Sequence, residues 1–322
     1  MTGTTISPVT ERATEFVAQR RPIAEAIGRN LTEHVGDPDA FAAALRNGFL
    51  ELSDPDYLEG ERRVAPGIGA VVGVRWPLIE AVKRGFREAT SRDRTSGWLF
   101  IADRLLREPE LEPRWFAFGL LERLVADDPE RSWQLLRRAA REATDWITVD
   151  SLAHPFGKGI LAEPYRWAEL DQLVYSPSRW ERRLIGSTIA TAPFVHRRAG
   201  REAVVARHGL ELIGQLIGDA EPDVQKALSW ALRSLTLVDR DAVAAFCDVE
   251  ADRAAQDVDG HRAWVIRDAL PKLEPADADR IRARLEGVRR KPGAASTSAA
   301  SAAAAAFGGD ALGKPMPEPP LT

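Results

Sequence analysis

The chain has 322 residues, of which 44% are hydrophobic and 29% are charged, a composition typical of soluble globular proteins that bury a substantial core. Its formal net charge of -4 excludes a uniformly cationic nucleic-acid binder but permits a local basic face. Because the chain lacks a signal-peptide pattern and any apolar run of membrane-spanning length, we expect a cytoplasmic protein. The single cysteine, Cys247, excludes an internal disulfide.

Apolar residues recur at three- and four-residue spacing along nearly the whole chain, separated by short breaks with Pro, Gly or Asp. This pattern predicts helices over 9–34, 38–52, 76–90, 96–107, 113–126, 129–143, 146–153, 166–174, 178–191, 198–217, 222–236, 240–250, 260–271 and 276–290. The run IGAVVGV at 68–74 contains glycines and is predicted as a loop. The pattern favours an all-α fold, an α-solenoid whose stacked helix pairs leave one concave surface free.

Composition divides the chain into three predicted regions. Residues 1–60 form a helical region that the pattern does not place, and residues 61–291 carry the helical repeats. From residue 292 the sequence is biased toward Ala, Ser, Gly and Pro and offers little apolar surface to bury. Residues 292–322 are therefore predicted to be a disordered tail.

The stretch DWITVDSLAH at 145–154 places Trp146 and Asp150 one helical turn apart and about 40° apart around the axis, so they share a face. The neighbouring buried stripe consists of Val149, Leu152 and Ala153. We expect Asp150 at the edge of this stripe, partly desolvated but reachable from solvent.

A structural role for Asp150 is the alternative. Asp150 would then cap a helix that starts at Ser151, or would be an ordinary surface aspartate. Thr144 and Asp145 already offer capping groups for a helix through Trp146, which weakens the capping alternative.

The segment PDVQKALSWALRSL at 222–235 has one apolar stripe at helical spacing. The stripe consists of Val224, Ala227, Leu228, Ala231, Leu232 and Leu235. Trp230 lies about 130° from the centre of the stripe, beside Lys226 and Arg233. An aromatic ring between two cations indicates a surface for a phosphate backbone, and the alternative is that Trp230 packs against the next helix pair.

The segment SRWERRLIG at 178–186 places Arg179, Arg182 and Arg183 close together on one predicted helix. From residue 179 to residue 233 there are nine basic and six acidic residues, a net charge of +3. This part of the chain is therefore predicted to be its electropositive region.

These three segments resemble the AlkD-like DNA glycosylases, the HEAT-repeat DNA alkylation repair family. DWITVDS is similar to the family's W-x-x-x-D-S signature, SRWERRLIG to its W-x-x-R helix, and QKALSWALR to its helix with Lys, Trp and Arg. The resemblance implies HEAT-like repeats with a concave DNA-binding surface and covers some 200 residues. One departure is the stretch RRVAPGIGAVVG at 62–73, which has no aromatic ring, whereas the family carries one shortly before the glycine that Gly73 matches.

The resemblance implies a glycosylase that excises cationic N3- and N7-alkylpurines from duplex DNA and needs no cofactor or metal. Asp150 would be the catalytic carboxylate, and Trp146 and Trp230 would pack beside the damaged nucleotide. The implied DNA contacts are Arg182, Arg183, Lys226 and Arg233. We expect the protein to act as a monomer, with alkylated duplex DNA as its partner and no membrane association.

Other catalytic motifs do not occur in the sequence. GIGAVVG at 67–73 misses the dinucleotide-binding spacing, and neither a P-loop nor G-x-S-x-G is found. The five histidines show no HExxH or comparable metal-ligand spacing. The competing interpretation is a helical-repeat scaffold that binds nucleic acid or a protein partner without catalysis.

Overall fold

The computed structural model describes residues 8–64, 67–90 and 95–306. Within these ranges the chain forms sixteen α-helices and no β-strand, apart from an isolated bridge between Ala70 and Glu110. The all-α prediction is confirmed, and so is the loop predicted at 68–74. None of the helices in the described part of the chain is long and apolar enough to cross a bilayer.

The described chain divides into two compact units between Leu135 and Leu136. The first unit contains α1 (Pro8–Asn30), α2 (Pro38–Leu52), α3 (Pro55–Val64), α4 (Trp76–Ala89), α5 (Thr95–Leu105), α6 (Leu111–Leu124) and the first half of α7 (Pro129–Glu142), whose second half belongs to the other unit. The second contains α8 (Trp146–Ala162), α9 (Trp167–Leu173), α10 (Arg179–Val195), α11 (Ala203–Leu216), α12 (Pro222–Leu235), α13 (Arg240–Gln256), α14 (Gly260–Ala269), α15 (Pro275–Arg284) and α16 (Ala299–Ala306).

The core of the first unit is built around a cluster of aromatic rings. Phe41 lies 5.4 Å from Phe86 and 5.9 Å from Phe116, measured between ring centroids. The crossing of α1 and α4 is close because a Cβ on Gly28 would lie 2.1 Å from the carbonyl oxygen of Val82. Any side chain at Gly28 would force these helices apart.

The loop before α4 is held by a buried carboxylate of α6. Glu112 is 1% exposed and accepts hydrogen bonds from the backbone N–H groups of Val72, Gly73 and Val74. Gly73 has a φ of 90°, a conformation that favours glycine, and a Cβ there would lie 2.8 Å from Cβ of Leu58. The glycines therefore shape a loop, as the sequence predicts, because the backbone donors are satisfied by a side chain rather than by a second strand.

The second unit consists of two layers of successive helices. In one layer α8, α10, α12 and α14 follow one another, each packed on the next, and in the other α9, α11, α13 and α15 do the same. The apolar stripe predicted on α12 is completely buried, with its six residues at 0% exposure. The predicted repeat-like helical packing is thus confirmed.

The helix predicted at 146–153 continues to Ala162, through Pro155. Proline removes one backbone donor and usually ends a helix, which is why the sequence predicts an earlier end. Here Phe156 and Ile160 lie beyond the proline and are fully buried, so the packing of the apolar face keeps the last turns helical.

The segment predicted as a disordered tail has two parts. Residues 292–306 are described and pack on the second unit, whereas residues 307–322 lie outside the described residues. Thr297 donates its backbone N–H to the carbonyl of Gly218 at 2.8 Å, and its hydroxyl donates to Asp259. Hydrogen bonds of this segment and the burial of Ala300 hold it on the second unit, and composition alone does not reveal this packing.

Candidate active site

Asp145 begins the helix that carries the candidate carboxylate. Its side chain accepts hydrogen bonds from the backbone N–H and the hydroxyl of Thr148, both at 2.7 Å, so α8 starts at Trp146. Asp150 therefore lies in the second turn and does not cap a helix starting at Ser151. The capping alternative for Asp150 is wrong because Asp145 already fills that role.

The carboxylate of Asp150 is held by two residues of α10. Nε of Arg183 donates to Oδ1 at 3.1 Å, and Nη2 of Arg183 donates to Oδ2 at 2.8 Å. The hydroxyl of Ser187 donates to Oδ1 at 2.6 Å. The Asp150 side chain retains 22% of its exposure, so the carboxylate is at the edge of the buried stripe, as the sequence predicts.

The hydrogen bonds of Asp150 distinguish its two oxygens. A carboxylate offers about four acceptor positions, two on each oxygen. Among the residues that the structure describes, Oδ1 accepts from both Arg183 and Ser187, whereas Oδ2 accepts only from Arg183. The remaining acceptor position belongs to Oδ2, the oxygen that stays available to a water molecule or a substrate.

All three guanidinium nitrogens of Arg183 donate hydrogen bonds to acceptors within the protein. Its side chain is 7% exposed, and Nη1 donates to the backbone carbonyl of Asp223 in the first turn of α12 at 2.6 Å. Its Cζ atom lies 5.9 Å from the centroid of the Trp146 ring, which is itself 38% exposed. Arg183 therefore joins the three helices and holds the carboxylate.

Close packing of α10 on α12 sets the position of Arg183. A Cβ on Gly186 would lie 2.7 Å from the carbonyl carbon of Ala227 and 2.8 Å from its Cβ. Only glycine lets α10 approach this closely, and the approach brings Arg183 within reach of Asp223. The glycine in SRWERRLIG is therefore part of the local geometry of the site.

Arg182 lies in the interior and pairs with Asp219 rather than with the candidate carboxylate. It is 1% exposed, and its Nε donates to Asp219 at 2.7 Å while Nη1 donates to the carbonyls of Ser176 and Pro177. We therefore propose no DNA contact for Arg182. Its neighbour in the sequence, Arg183, turns toward Asp150 because successive helical residues point about 100° apart.

The three residues singled out on α12 differ in their accessibility. Lys226 is exposed and forms no ion pair among the described residues, and Trp230 is half-buried. Arg233 forms an ion pair with Asp268 and donates to the backbone carbonyl of Asp268 at 3.0 Å. Lys226 thus remains available to a phosphate, whereas the charge of Arg233 is already compensated.

The sequence does not reveal two partners of the predicted site residues. Ser187 donates a hydrogen bond to Asp150, and Asp268 forms an ion pair with Arg233. Ser187 follows Arg183 by four residues, so the two share a face of α10, and this spacing is a signal that the sequence contains. Asp268 is distant from Arg233 in sequence, and no local pattern pairs them. Direct contacts thus join Trp146, Asp150, Arg183 and Ser187, and the other predicted residues lie around them on α10 and α12.

The sequence pattern also does not single out Tyr57, an aromatic residue of the first unit. Tyr57 belongs to α3, a helix that was not predicted, and it precedes the stretch at 62–73 that has no ring. The guanidinium of Arg75 lies 4.9 Å from its ring centroid. Burial and the nearby Glu61 raise the pKa of its hydroxyl, so Tyr57 stays neutral.

The described residues contain no group of three or more His, Cys, Asp or Glu side chains arranged to hold a metal ion. Cys247 is buried in α13, and burial together with Glu250 and Asp248 raises its pKa to about 12. Its thiol is therefore uncharged at neutral pH and is not a nucleophile.

Residues 45–273 match the model of a protein family described as DNA alkylation repair enzyme. The match covers more than two thirds of the 322 residues and includes α8, α10 and α12 completely. No curated protein matches the sequence. The resemblance that the three sequence motifs indicate is confirmed at the level of the family.

Proposed function

The chain belongs to the DNA alkylation repair enzyme family, and from this premise we propose that it is a DNA glycosylase acting on cationic N3- and N7-alkylpurines. The proposal depends mainly on one observation: a partly exposed carboxylate, Asp150, is fixed by Arg183 and Ser187 beside the exposed ring of Trp146. Duplex DNA bearing such a lesion is the proposed substrate.

The chemistry of an alkylated purine explains why one carboxylate suffices. Glycosidic cleavage commonly needs an acid that protonates the leaving group and a second carboxylate that supports an oxocarbenium-like sugar. A purine alkylated at N3 or N7 is already cationic, and the electron pair of the breaking C–N bond neutralises it as it leaves. The acid is then unnecessary, and only the charge on the sugar needs stabilisation.

The free acceptor position of Asp150 gives Oδ2 two proposed tasks. Oδ2 attracts the positive charge that develops on the deoxyribose, and this attraction grows as the local dielectric falls. It also orients a water molecule, whose oxygen bonds to C1′ and whose proton passes to the carboxylate and then to solvent. The products are a neutral alkylpurine and an abasic sugar.

Arg183 does not cancel the proposed role of Asp150, because the two ends of the pair differ in exposure. The guanidinium is 7% exposed and points into the protein, whereas the carboxylate is 22% exposed. A cationic nucleotide approaching from solvent therefore meets the negative end first. Trp146 would add cation–π attraction of about 0.5–2 kcal/mol.

The proposed DNA surface is the exposed side of α8 and α12, with the repeats treated as HEAT-like and their free surface as concave. Trp230 would pack beside the damaged nucleotide, and Lys226 would contact a phosphate.

Release of free base from methylated duplex DNA tests the proposed function. Purified protein should release 3-methyladenine or 7-methylguanine, which chromatography separates from the DNA, and should leave alkali-labile abasic sites. If the protein binds the duplex tightly but releases neither base, the alternative of a non-catalytic helical-repeat scaffold replaces the enzyme.

We expect Ser187→Ala to lower the rate of base release by about tenfold, since a hydrogen bond to a charged group contributes about 1.5–3 kcal/mol. Single-turnover rates of base release measure this effect.

Thr191→Val is the matched control for Ser187, because Thr191 lies one turn further along α10 and its hydroxyl donates to backbone carbonyls rather than to Asp150. This control should keep the wild-type rate of base release. If both variants lower the rate equally, Ser187 has only a packing role.

Lys226→Ala should reduce the slope of log affinity against log salt by about one unit, since one phosphate contact releases about one counterion. Arg233→Ala should reduce it less, because Asp268 already compensates the charge of Arg233. Fluorescence anisotropy at several salt concentrations measures both slopes. An unchanged slope for Lys226→Ala would remove this residue from the interface.

A further inference from the structure

Two adjacent arginines of α10 are bound by one short segment, residues 219–223, which we call the arginine seat. Nε of Arg182 donates to the carboxylate of Asp219 at 2.7 Å. Nη1 of Arg183 donates to the backbone carbonyl of Asp223 at 2.6 Å. The position of the arginine seat therefore affects the guanidinium that holds the candidate carboxylate.

Gln225, in the first turn of α12, is a completely buried amide that ties the arginine seat to other parts of the unit. Its Nε2 donates to the backbone carbonyl of Asp219 and to Nδ1 of His261, the latter at 3.0 Å. Its Oε1 accepts from Nη1 of Arg290 at 2.8 Å. Because a carbonyl only accepts, the amide nitrogen must face Asp219, and Gln225 has one orientation.

The C-terminal segment 289–301, which we call the C-terminal clamp, holds Gln225 and the residue before the arginine seat. Its Arg290 contacts Gln225 directly. The carbonyl of Ala294 accepts from Nε2 of His261 at 3.1 Å, and His261 in turn accepts from Gln225. Thr297 donates its backbone N–H to the carbonyl next to Asp219 along the chain at 2.8 Å. The clamp thus contacts the seat at two places.

Two glycines give the C-terminal clamp its room. A Cβ on Gly218 would lie 2.3 Å from the hydroxyl oxygen of Thr297, and a Cβ on Gly260 would lie 2.3 Å from the carbonyl oxygen of Arg289. Neither glycine has a positive φ, so the close approach of the clamp, rather than a special backbone conformation, requires glycine here. The clamp is therefore in tight contact with the body of the unit.

Hydrogen bonds, rather than apolar burial, carry the contact between the C-terminal clamp and Gln225. None of the side chains at 289–297 is buried, and Arg290 itself is exposed. Hydrogen bonds are directional, so they specify the position of the groups that they join. This part of the clamp is therefore suited to fixing the geometry of its neighbours.

We propose that the C-terminal clamp positions the candidate active site: it fixes Gln225, Gln225 fixes the arginine seat, and the seat holds Arg183 on Asp150. Gln225 and Arg290 are positioning residues, because they act through Arg183 rather than on the substrate. This inference rests on the proposed function. Since a misplacement of a reacting group by about 1 Å can cost about 10²-fold in rate, the clamp should affect the rate of base release more than the affinity for DNA.

Arg290→Ala tests the proposal without disturbing the interior, because Arg290 is exposed. The single-turnover rate of base release at saturating protein should fall about two- to tenfold, the change that corresponds to one hydrogen bond of ordinary net strength. Arg290→Lys keeps a donor and the charge, and it should recover most of the rate. Arg289→Ala is the matched control, since it removes the adjacent exposed guanidinium and leaves Arg290 on Gln225.

DNA affinity separates positioning from direct contact. Arg290→Ala and Arg289→Ala each remove one exposed positive charge, so their affinities for the methylated duplex should agree, while their saturated rates differ. A lower affinity of Arg290→Ala with the wild-type rate at saturation would show that Arg290 contacts DNA, and it would overturn the inference.

Gly218→Ala tests the C-terminal clamp from its other side. Its Cβ must displace Thr297 or the loop before the arginine seat, and we expect a loss of rate of at least about tenfold. Gly214→Ala is the matched control, because a Cβ on Gly214 would meet its nearest neighbour at 3.5 Å, an ordinary contact distance. This control should keep the wild-type rate.

Hydrogen exchange followed by mass spectrometry reports the same link without a reaction. In Gly218→Ala, peptides covering 179–187 and 217–225 should exchange faster than in wild type, and Gly214→Ala should show no such change. Peptides of α13 should keep the wild-type exchange, which separates a local change from a loss of global stability. Unchanged exchange at 179–187 and 217–225 overturns the inference, and so does a rate of Arg290→Ala equal to that of Arg289→Ala.

These outcomes are separate from those of the proposed function. If wild type releases no base, the glycosylase proposal fails, and hydrogen exchange in Gly218→Ala alone decides whether the C-terminal clamp fixes the arginine seat and α10. If wild type releases base and all the clamp variants keep its rate, the glycosylase proposal stands and the clamp inference is wrong.

Discussion

Asp150→Asn is expected to lower the single-turnover rate of base release by about 10²–10³-fold, the cost typical of removing one preorganised electrostatic group. Asparagine has nearly the same shape as aspartate but carries no negative charge. It cannot stabilise the charge that develops on the sugar, although it still accepts a hydrogen bond from Arg183. The rate is measured with protein in excess over a duplex that contains one 7-methylguanine.

The affinity for DNA should not fall in Asp150→Asn, because the substitution removes a negative charge near a polyanion. Asp171→Asn is the matched control, since Asp171 is an exposed acid of the same unit and lies outside the site. It should retain the wild-type rate. A rate for Asp150→Asn close to that of this control would show that Asp150 is not the catalytic carboxylate.

Arg182→Ala is expected to lower the free energy of unfolding by about 3–5 kcal/mol, the cost of breaking a buried ion pair by removing one partner. The side chains of Arg182 and Asp219 are both 2% exposed, and the substitution leaves the carboxylate of Asp219 buried without its cation. It also removes the donor to the carbonyls of Ser176 and Pro177. Denaturant unfolding followed by circular dichroism measures the loss.

The ion pair of Arg282 with Asp279 provides the surface control, because its side chains are 58% and 74% exposed. Arg282→Ala should cost about 0–1 kcal/mol. At a temperature where Arg182→Ala remains folded, its salt slope on DNA should equal that of wild type. A stable Arg182→Ala variant with a reduced slope would instead place Arg182 at the DNA surface.

Helical periodicity predicts the parts of this protein that depend on local spacing. The six-residue stripe of α12 is buried as predicted, and Trp146 and Asp150 share the exposed edge of α8 because they lie one turn apart. The residue type at position 145 also predicts the N-cap of α8, which Asp145 provides. Each of these features is decided within a few residues of sequence, where propensity and period act.

Features that depend on distant residues were not predictable in this way. Arg182 and Arg183 look equivalent in the sequence, yet one pairs with Asp219 in the interior and the other with Asp150 at the site. The partner of Arg233 lies on another helix. Which arginine stays free for DNA is therefore decided by packing between helices, and charge counting along 179–233 overestimates the accessible positive charge.

Local rules also failed where tertiary contacts override them. Pro155 does not end α8, because buried residues follow it. The segment 292–306 packs on the second unit because Gly218 leaves room for Thr297, as a Cβ on Gly218 would lie 2.3 Å from its hydroxyl oxygen. Neither contact can be inferred from the composition of the segment that makes it.

The dependence of the rate on the charge of the leaving base tests the central claim most directly. Duplexes that differ only in one base, 7-methylguanine or neutral hypoxanthine, are compared under single-turnover conditions. With a single carboxylate and no general acid, the protein should release the cationic base and leave the neutral base essentially intact. Equal release rates for the two bases would contradict the account, since they would require an acid that protonates the leaving group.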